Sequence, residues 1–316
     1  MKTFFLNLRS TLTGHRHGVL AIGNFDGVHL GHQAVIHVAR DAARKLNSHC
    51  AVLTFEPHPR EFFQPDNAPP RLTGLRHKLA LFKEAGVDVA HCLRFNRRLA
   101  ETTAEEFIEK LLVNNLAVKH VIVGRDFQFG RNRTGNVQLL KQFGDKYGFV
   151  VTAIEDYLAD EARISSSNIR ELLKKGDLTS ARKLLGRPVS HIGRVLHGDK
   201  RGRQWGFPTA NFTMPRHSTP LSGVFAVRVD DGNGWQRQGV ANVGRRPTVD
   251  GLKLLLEVHL FDVEENLYGK LLQVEFLSKV REEKKFADFE QLKKQISQDI
   301  DEVKRWMLVD AQAISD

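Results

Sequence analysis

The sequence predicts two domains of different architecture: an α/β domain first, then an antiparallel β domain closed by a C-terminal helix. Three observations carry this. Short apolar runs alternate with helix-like stretches through the first part of the chain. Past Gly186-Arg187-Pro188 the texture becomes a series of β-like runs punctuated by glycine and proline. The last stretch carries Leu292, Ile296, Ile300, Val303 and Met307 at helical spacing. At 316 residues the chain is long for one core and comfortable for two.

In the first part, Val19 to Ile22 reads as a strand, followed by a glycine turn and a helix over Gly31 to Leu46. Strands are expected at Ala51 to Phe55, Val87 to Leu93, His120 to Val123 and Phe149 to Ile154. The intervening helices are Thr73 to Ala85, Ala104 to Asn114 and Gln138 to Tyr147. Such alternation argues for parallel βαβ units with right-handed crossovers. Ser165-Ser166-Ser167 then starts a helix to Lys174, and a second short helix runs from Leu178 to Leu185. The boundary is placed after Gly186, giving domains 1–186 and 187–316. Beyond it, β-like runs at Val189 to Val195, Gly223 to Val229, Gln236 to Val243, Leu254 to Leu260 and Leu271 to Leu277 predict an antiparallel barrel or sandwich. The helix over Asp288 to Met307 is expected to pack on that sheet.

Charge and cysteine content narrow the class. The net charge of +10 is spread along the chain with acids interleaved, so an anionic small substrate explains it better than a nucleic-acid groove. The two cysteines, Cys50 and Cys92, form no CxxC pair, which points to a reducing compartment. Asn7 and Arg9 interrupt the apolar N-terminus too early for a signal peptide, and no run is long enough to span a bilayer. A cytoplasmic protein with small-molecule substrates, no nucleic acid and no membrane partner is expected; the oligomeric state stays open.

One candidate site is the turn Ile22-Gly23-Asn24-Phe25-Asp26-Gly27-Val28-His29-Leu30-Gly31-His32. His29 and His32 are three apart and share a face of the first helical turn. Glycines let the backbone approach a ligand, and the helix start supplies N–H groups and a positive dipole end. Adenylyl transfer needs this arrangement, because charge grows on phosphate oxygens while pyrophosphate leaves and no protein nucleophile is required. The alternatives are a zinc site, for which His58 is an available third ligand, or two surface histidines. Three further segments support the first reading. Thr54-Phe55-Glu56-Pro57-His58-Pro59 forms a stiff loop after a strand, suited to a substrate wall or a rigid turn. Gly124-Arg125-Asp126-Phe127-Gln128-Phe129-Gly130 brings aromatics for a flat ring or for the core. Arg163, Ser165, Ser166, Ser167 and Arg170 offer hydroxyls, helix N–H groups and guanidinium groups for triphosphate oxygens, or an ordinary capped helix.

A second candidate site lies in the β domain. Gly198, Gly202 and Gly206 with Lys200, Arg201 and Arg203 make a basic loop that approaches a P-loop without being one. Thr209 and Asn211 alternate by two, so on a strand they face one way and present neutral oxygens to a magnesium ion. Glu257 interrupts an apolar strand, where a carboxylate needs a partner or a cleft and is suited to take a proton from an attacking hydroxyl, unless strand alternation merely turns it to solvent.

The turn at Ile22 to His32, the EPHP loop, the GRDFQFG turn, the ISSSNIR segment, Gly206-Phe207-Pro208-Thr209-Ala210-Asn211, Gly244 to Thr248 and the strand through Glu257 resemble the bacterial bifunctional riboflavin kinase/FMN adenylyltransferase family over nearly the whole chain. The resemblance implies a Rossmann-like nucleotidyltransferase domain followed by a six-stranded Greek-key barrel. It implies that riboflavin is phosphorylated to FMN by ATP and that FMN is adenylylated to FAD. ATP for the second reaction would meet Gly23, Phe25, Asp26, Gly27, His29, His32, Asp126, Arg163, Ser166 and Arg170, with Pro57, His58 and Phe127 toward FMN. The kinase would hold ATP with Gly198, Lys200, Gly202, Thr209 and Asn211, Mg2+ through Thr209 and Asn211, and the flavin near Arg281 and Glu283, with Glu257 as base. This chain departs from the family pattern at Ser167, usually threonine, and at Arg245, where many relatives carry threonine.

Overall fold

The structure, a computed structural model, describes the chain except residues 9–13, 160–161, 198–205, 213, 215–218, 249–250 and 314–316. Two compact units result, one comprising Met1–Pro69 and Leu75–Ser166, the other Pro70–Gly74 and Ser167–Asp316.

The first unit is a six-stranded parallel sheet of order β1-β4-β3-β2-β5-β6. Its strands are β1 (Lys2–Leu6), β2 (Val19–Ile22), β3 (Cys50–Glu56), β4 (Val89–Arg94), β5 (His120–Gly124) and β6 (Val150–Ile154). Helices α1 (Leu30–Lys45), α2 (Pro59–Phe63), α3 (Leu75–Glu84), α4 (Arg97–Glu101), α5 (Ala104–Glu106) and α6 (Val137–Tyr147) connect them. Both faces of the sheet are covered, which is why β2 reads as a continuous apolar run rather than an alternating one. Val19 and Ala21 pack with Ile36 and Ala39 of α1 and with Leu81 and Phe82 of α3. Leu20 and Ile22 face the other way, toward Phe107, Leu111, Leu112 and Leu140. The helix expected over Ala104 to Asn114 is there, but after α5 it continues as a π-helical run, Phe107–Asn115.

Several elements of this unit were not anticipated, among them β1, α2, α4 and the short pair that follows β6. β1 is an edge strand pairing in parallel with β4, and its five residues are too few to show a period. α2 starts at Pro59, where the missing N–H costs nothing and His58 with Glu61 forms a capping box. The pair β7 (Leu158–Ala159) and β8 (Ala162–Arg163) forms a small hairpin.

In the second unit β9 (Val189–Leu196), β10 (Ala210–Phe212), β11 (Gly223–Asp230), β12 (Gln236–Thr248), β13 (Gly251–Leu260) and β14 (Leu271–Arg281) close into a barrel of order β10-β13-β12-β11-β14-β9. The paired strands run antiparallel throughout. The barrel-or-sandwich alternative therefore resolves to the barrel, and closure leaves no sheet edge. Helices α7 (Ser166–Lys175) and α8 (Leu178–Leu185) precede it; α9 (Phe289–Ala313) covers one face, with Ile300, Val303 and Met307 packed on Ala226 and Phe261.

A buried titratable group in the first unit gives a pH test. His91 is 1% exposed, its Nδ1 has no partner, and burial, then the nearby His49 and His15, lowers its pKa from 6.5 to about 4. Because the folded protein resists protonation while the unfolded chain does not, stability is lost as pH falls from 6.5 toward 4. The loss is on the order of 3 kcal/mol when complete. Urea melts at pH 8 and pH 5 should show a smaller acid loss for His91→Leu than for the parent chain; equal losses would remove His91 as the cause.

Candidate functional sites

The loops at the carboxyl end of a parallel sheet converge, and the first site is built there. Between β2 and α1 the chain turns through three residues of positive φ: Phe25 (50°), Gly27 (84°) and Val28 (41°). Only the glycine takes this conformation without strain. The turn is braced from below. The Phe25 ring, 1% exposed, packs edge-on against Phe82 at 5.5 Å and lies 5.2 Å from the His32 ring. The Asn24 carbonyl accepts from Thr54 Oγ1 at 3.1 Å and from Lys78 Nζ at 2.8 Å.

His29 is the N-cap of α1; its Nδ1 accepts the His32 N–H at 3.3 Å. The two imidazoles stack with centroids 3.7 Å apart and planes 19° apart, so the shared face expected from their spacing is realised. Asp26 is buried, and its carbonyl accepts from Ser166 Oγ at 2.9 Å, which joins the serine segment to the turn. Gly23, Phe25, Asp26, Gly27, His29, His32 and Ser166 thus come together. Ser167 is exposed, and a serine hydroxyl there meets the same solvent that a threonine would.

The other predicted residues fall as follows. Arg163 pairs with Asp126 at 2.5 Å and with Asp156 at 3.0 Å, and Arg125 bridges Glu155 at 2.7 Å and Asp156 at 3.2 Å. Arg170 is buried, and its Nε donates to the Pro70 carbonyl at 2.6 Å. His58 caps α2, with Nδ1 accepting from Arg60 N–H at 3.1 Å. Among the described residues no group of three His, Cys, Asp or Glu is placed to hold a metal, so the zinc alternative has no support. Phe127 stacks on the core residue Phe129 at 5.4 Å and 17°. Next to the EPHP loop lies an aromatic group missed in the sequence: the rings of Phe62 and Phe63 sit 5.5 and 5.6 Å from Phe95, and Phe55 sits 6.2 Å from it.

In the barrel, Asn211 of β10 and Asn242 of β12 are the register partners of Glu257, one on either side of it. Their neighbours Ala210, Phe212, Ala241, Val243, Leu256 and Val258 are buried, whereas Asn211, Asn242 and Glu257 are half-buried. The polar trio therefore faces away from the barrel core, and Glu257 lies between two amides on that face. Glu283 joins this patch: its carboxylate occupies the space a Cβ at Gly244 would take, and that Cβ position is 3.3 Å from Asn242 Nδ2. Asn242 had no sequence signal, because it reads as one polar position in an alternating strand. A cavity of about 470 Å³ opens beside Thr209, lined also by Val195, Ala210, Val258, Asn266 and Tyr268, the size of a small-molecule site. Gly198, Lys200 and Gly202 lie outside the described residues. Arg281 is held by Asp299 of α9, Nε to Oδ1 at 2.8 Å and Nη2 to Oδ2 at 2.7 Å.

Comparison with known proteins assigns each unit. A family model described as FAD synthetase matches residues 12–168, and one described as riboflavin kinase matches residues 185–307. The bifunctional riboflavin kinase/FMN adenylyltransferase of Haemophilus influenzae is 49% identical over 90% of this chain and 92% of its own. The chain belongs to the bifunctional riboflavin kinase/FMN adenylyltransferase family. Its Escherichia coli relative of the same name is 47% identical over 89% of this chain and 90% of its own. A solved structure from Streptococcus pneumoniae, described as a macrolide-efflux protein, covers 96% of this chain and 99% of its own at 31% identity and a TM-score of 0.79. The shared fold is what that likeness carries: among the described residues no helix is long and apolar enough to cross a membrane.

The Arg281–Asp299 pair is bidentate, with side chains 14% and 4% exposed. Asp299→Ala would leave a largely buried guanidinium unpaired, at a cost of about 3–5 kcal/mol. Denaturation followed by Trp306 fluorescence on the same helix checks this; a loss below about 1 kcal/mol would make the pair a solvent-screened one.

Proposed function

We infer that the chain is a bifunctional enzyme that phosphorylates riboflavin with ATP, giving FMN and ADP, and adenylylates FMN with a second ATP, giving FAD and pyrophosphate. The observation that carries this reading is the match of two different family models, one onto each end of a single chain with a separate candidate site in each. The activities divide at residues 186/187 in this proposal, with α7 and α8 counted with the adenylyltransferase.

For adenylyl transfer, an FMN phosphate oxygen attacks the α-phosphorus of ATP and pyrophosphate leaves. The start of α1, His29 and His32 stabilise the charge on the phosphate oxygens. Gly23, Phe25, Asp26 and Gly27 shape the backbone cradle, and Asp126, Arg163, Ser166 and Arg170 complete the ATP contacts. Arg163 reaches the triphosphate by exchanging its carboxylate partners for phosphate oxygens, a like-for-like bidentate exchange. Pro57, His58 and Phe127 bound the FMN side, and the Phe62, Phe63 and Phe95 rings supply apolar faces for the isoalloxazine.

For the kinase, Glu257 takes the proton of the ribityl 5′-hydroxyl as that oxygen attacks the γ-phosphorus. Asn211 and Asn242 flank the carboxylate as its cross-strand neighbours. The cavity beside Thr209 receives the ATP base, with Gly198, Lys200 and Gly202 toward the phosphates and Arg281 and Glu283 toward the flavin. Register sets the Asn211 amide opposite the Glu257 carboxylate, and the Thr209 hydroxyl lies two residues before Asn211; all three are hard oxygen donors, a type suited to magnesium. Thr209 and Asn211 would hold Mg2+, which supplies neutralisation of phosphate charge when bound. The substrates are small, neither nucleic acid nor membrane takes part, and the reactions are placed in the cytoplasm.

Glu257→Gln should lower FMN formation by at least roughly 10²-fold while adenylylation of supplied FMN persists. The double change His29→Ala, His32→Ala should reverse that pattern, with a loss of roughly 10²–10³ per donor in FAD formation. Product chromatography after incubation with ATP, Mg2+ and either flavin reads both. Loss of both activities by either folded variant would contradict separate sites.

A further inference from the structure

Lys78 is a buried cation that the reactions above do not use. It sits on α3, is 2% exposed, and its Nζ donates to the Asn24 carbonyl at 2.8 Å, a carbonyl that also accepts from Thr54 Oγ1 at 3.1 Å. Phe82, four residues on and so on the same face of α3, supports the Phe25 ring at 5.5 Å. One helix thus braces the turn at two points, a ring and a carbonyl. If α3 needed only to fill space, methionine or leucine would do so without desolvating an ammonium group.

What the Asn24 carbonyl controls follows from peptide geometry. The bond between Asn24 and Phe25 is trans, the only cis bond among the described residues being Glu56–Pro57. In a planar trans peptide the C=O and the following N–H point in opposite directions. Holding Asn24 O toward α3 and β3 therefore aims Phe25 N–H the other way. Among the described residues this N–H has no acceptor, although Phe25 is 1% exposed. A buried donor left open at a candidate phosphate site is a donor kept for a ligand.

We propose that Lys78 is a positioning residue for adenylyl transfer: through the Asn24 carbonyl it fixes the Asn24–Phe25 peptide plane. This rests on the assignment of the turn at Gly23 to His32 to that reaction. The effect belongs to the rate step more than to substrate capture, because a peptide free to rotate still allows binding while misaiming the donor when charge develops.

The test measures kcat and KM for FMN and for ATP in the full-length enzyme, with riboflavin phosphorylation read on the same samples. Lys78→Met should lower adenylylation kcat about 10²-fold, as for loss of an oxyanion-type donor, with both KM values within threefold and kinase activity unchanged. Lys78→Gln, which keeps a donor without the charge, should recover part of that loss. Thr54→Val should lower kcat severalfold and Thr54→Ser should restore it. Should Lys78→Met fail to fold, the Thr54 pair decides: rates alike for valine, serine and the parent overturn the proposal. It is equally overturned if Lys78→Met keeps adenylylation kcat within threefold, or if Gln and Met behave alike. Wild-type rates in the His29→Ala, His32→Ala variant would instead overturn the assignment of the site itself.

Discussion

Everything in the first site depends on how the chain gets from β2 to α1 in seven residues, Gly23 to His29, without collapsing onto the sheet. The backbone passes through the left-handed region at Phe25 and at the β-branched Val28, each at a cost of about 1–3 kcal/mol. The offsetting term is burial of the Phe25 side chain against Phe82 and of Val28 in the same cluster, each contributing about 1.5–3 kcal/mol. A polar residue in place of Phe25 would lose the burial and keep the strain. The imidazole stack sits on that anchored turn, the Phe25 ring lying 5.2 Å from the His32 ring, while the Asn24 carbonyl is held separately by Lys78 and Thr54.

The barrel meets a different constraint. Its closure fixes register, and register puts Glu257 between Asn211 and Asn242 on the face turned away from the core. A shift by one residue would carry the carboxylate into the apolar interior, so the strand pairing that builds the core also protects the site. Gly244 then leaves room for the Glu283 carboxylate. Fold stability and site geometry are specified by the same hydrogen bonds here, whereas in the first unit they are separable, since α3 braces the turn from outside the strands.

Legibility in the sequence follows the range of the interactions. β2, β3 and β5 are visible as apolar runs, and the His29–His32 face is visible because helix periodicity is local. The division into a parallel sheet and a β domain is visible for the same reason. β1 is not: a strand of five residues has no period to read, and its partner β4 lies more than eighty positions away. α2 is hidden because EPHP looks like a stiff loop until His58 and Glu61 are seen to cap it. Lys78, Asn242 and Asp299 carry no local mark at all. Each acquires its role only through a partner on another element, Asn24, Glu257 and Arg281 respectively, and such pairings are properties of the fold.

The central claim is that one chain carries out two chemically distinct attacks on ATP, at the γ-phosphorus in the barrel and at the α-phosphorus beside His29 and His32. Isotopically labelled ATP separates them directly. With riboflavin and Mg2+, label at the γ-phosphorus should appear in FMN and persist in the FMN half of FAD, while label at the α-phosphorus should be absent from FMN and, among the flavins, appear only in FAD. FAD lacking α-label, or FMN carrying it, would contradict the account.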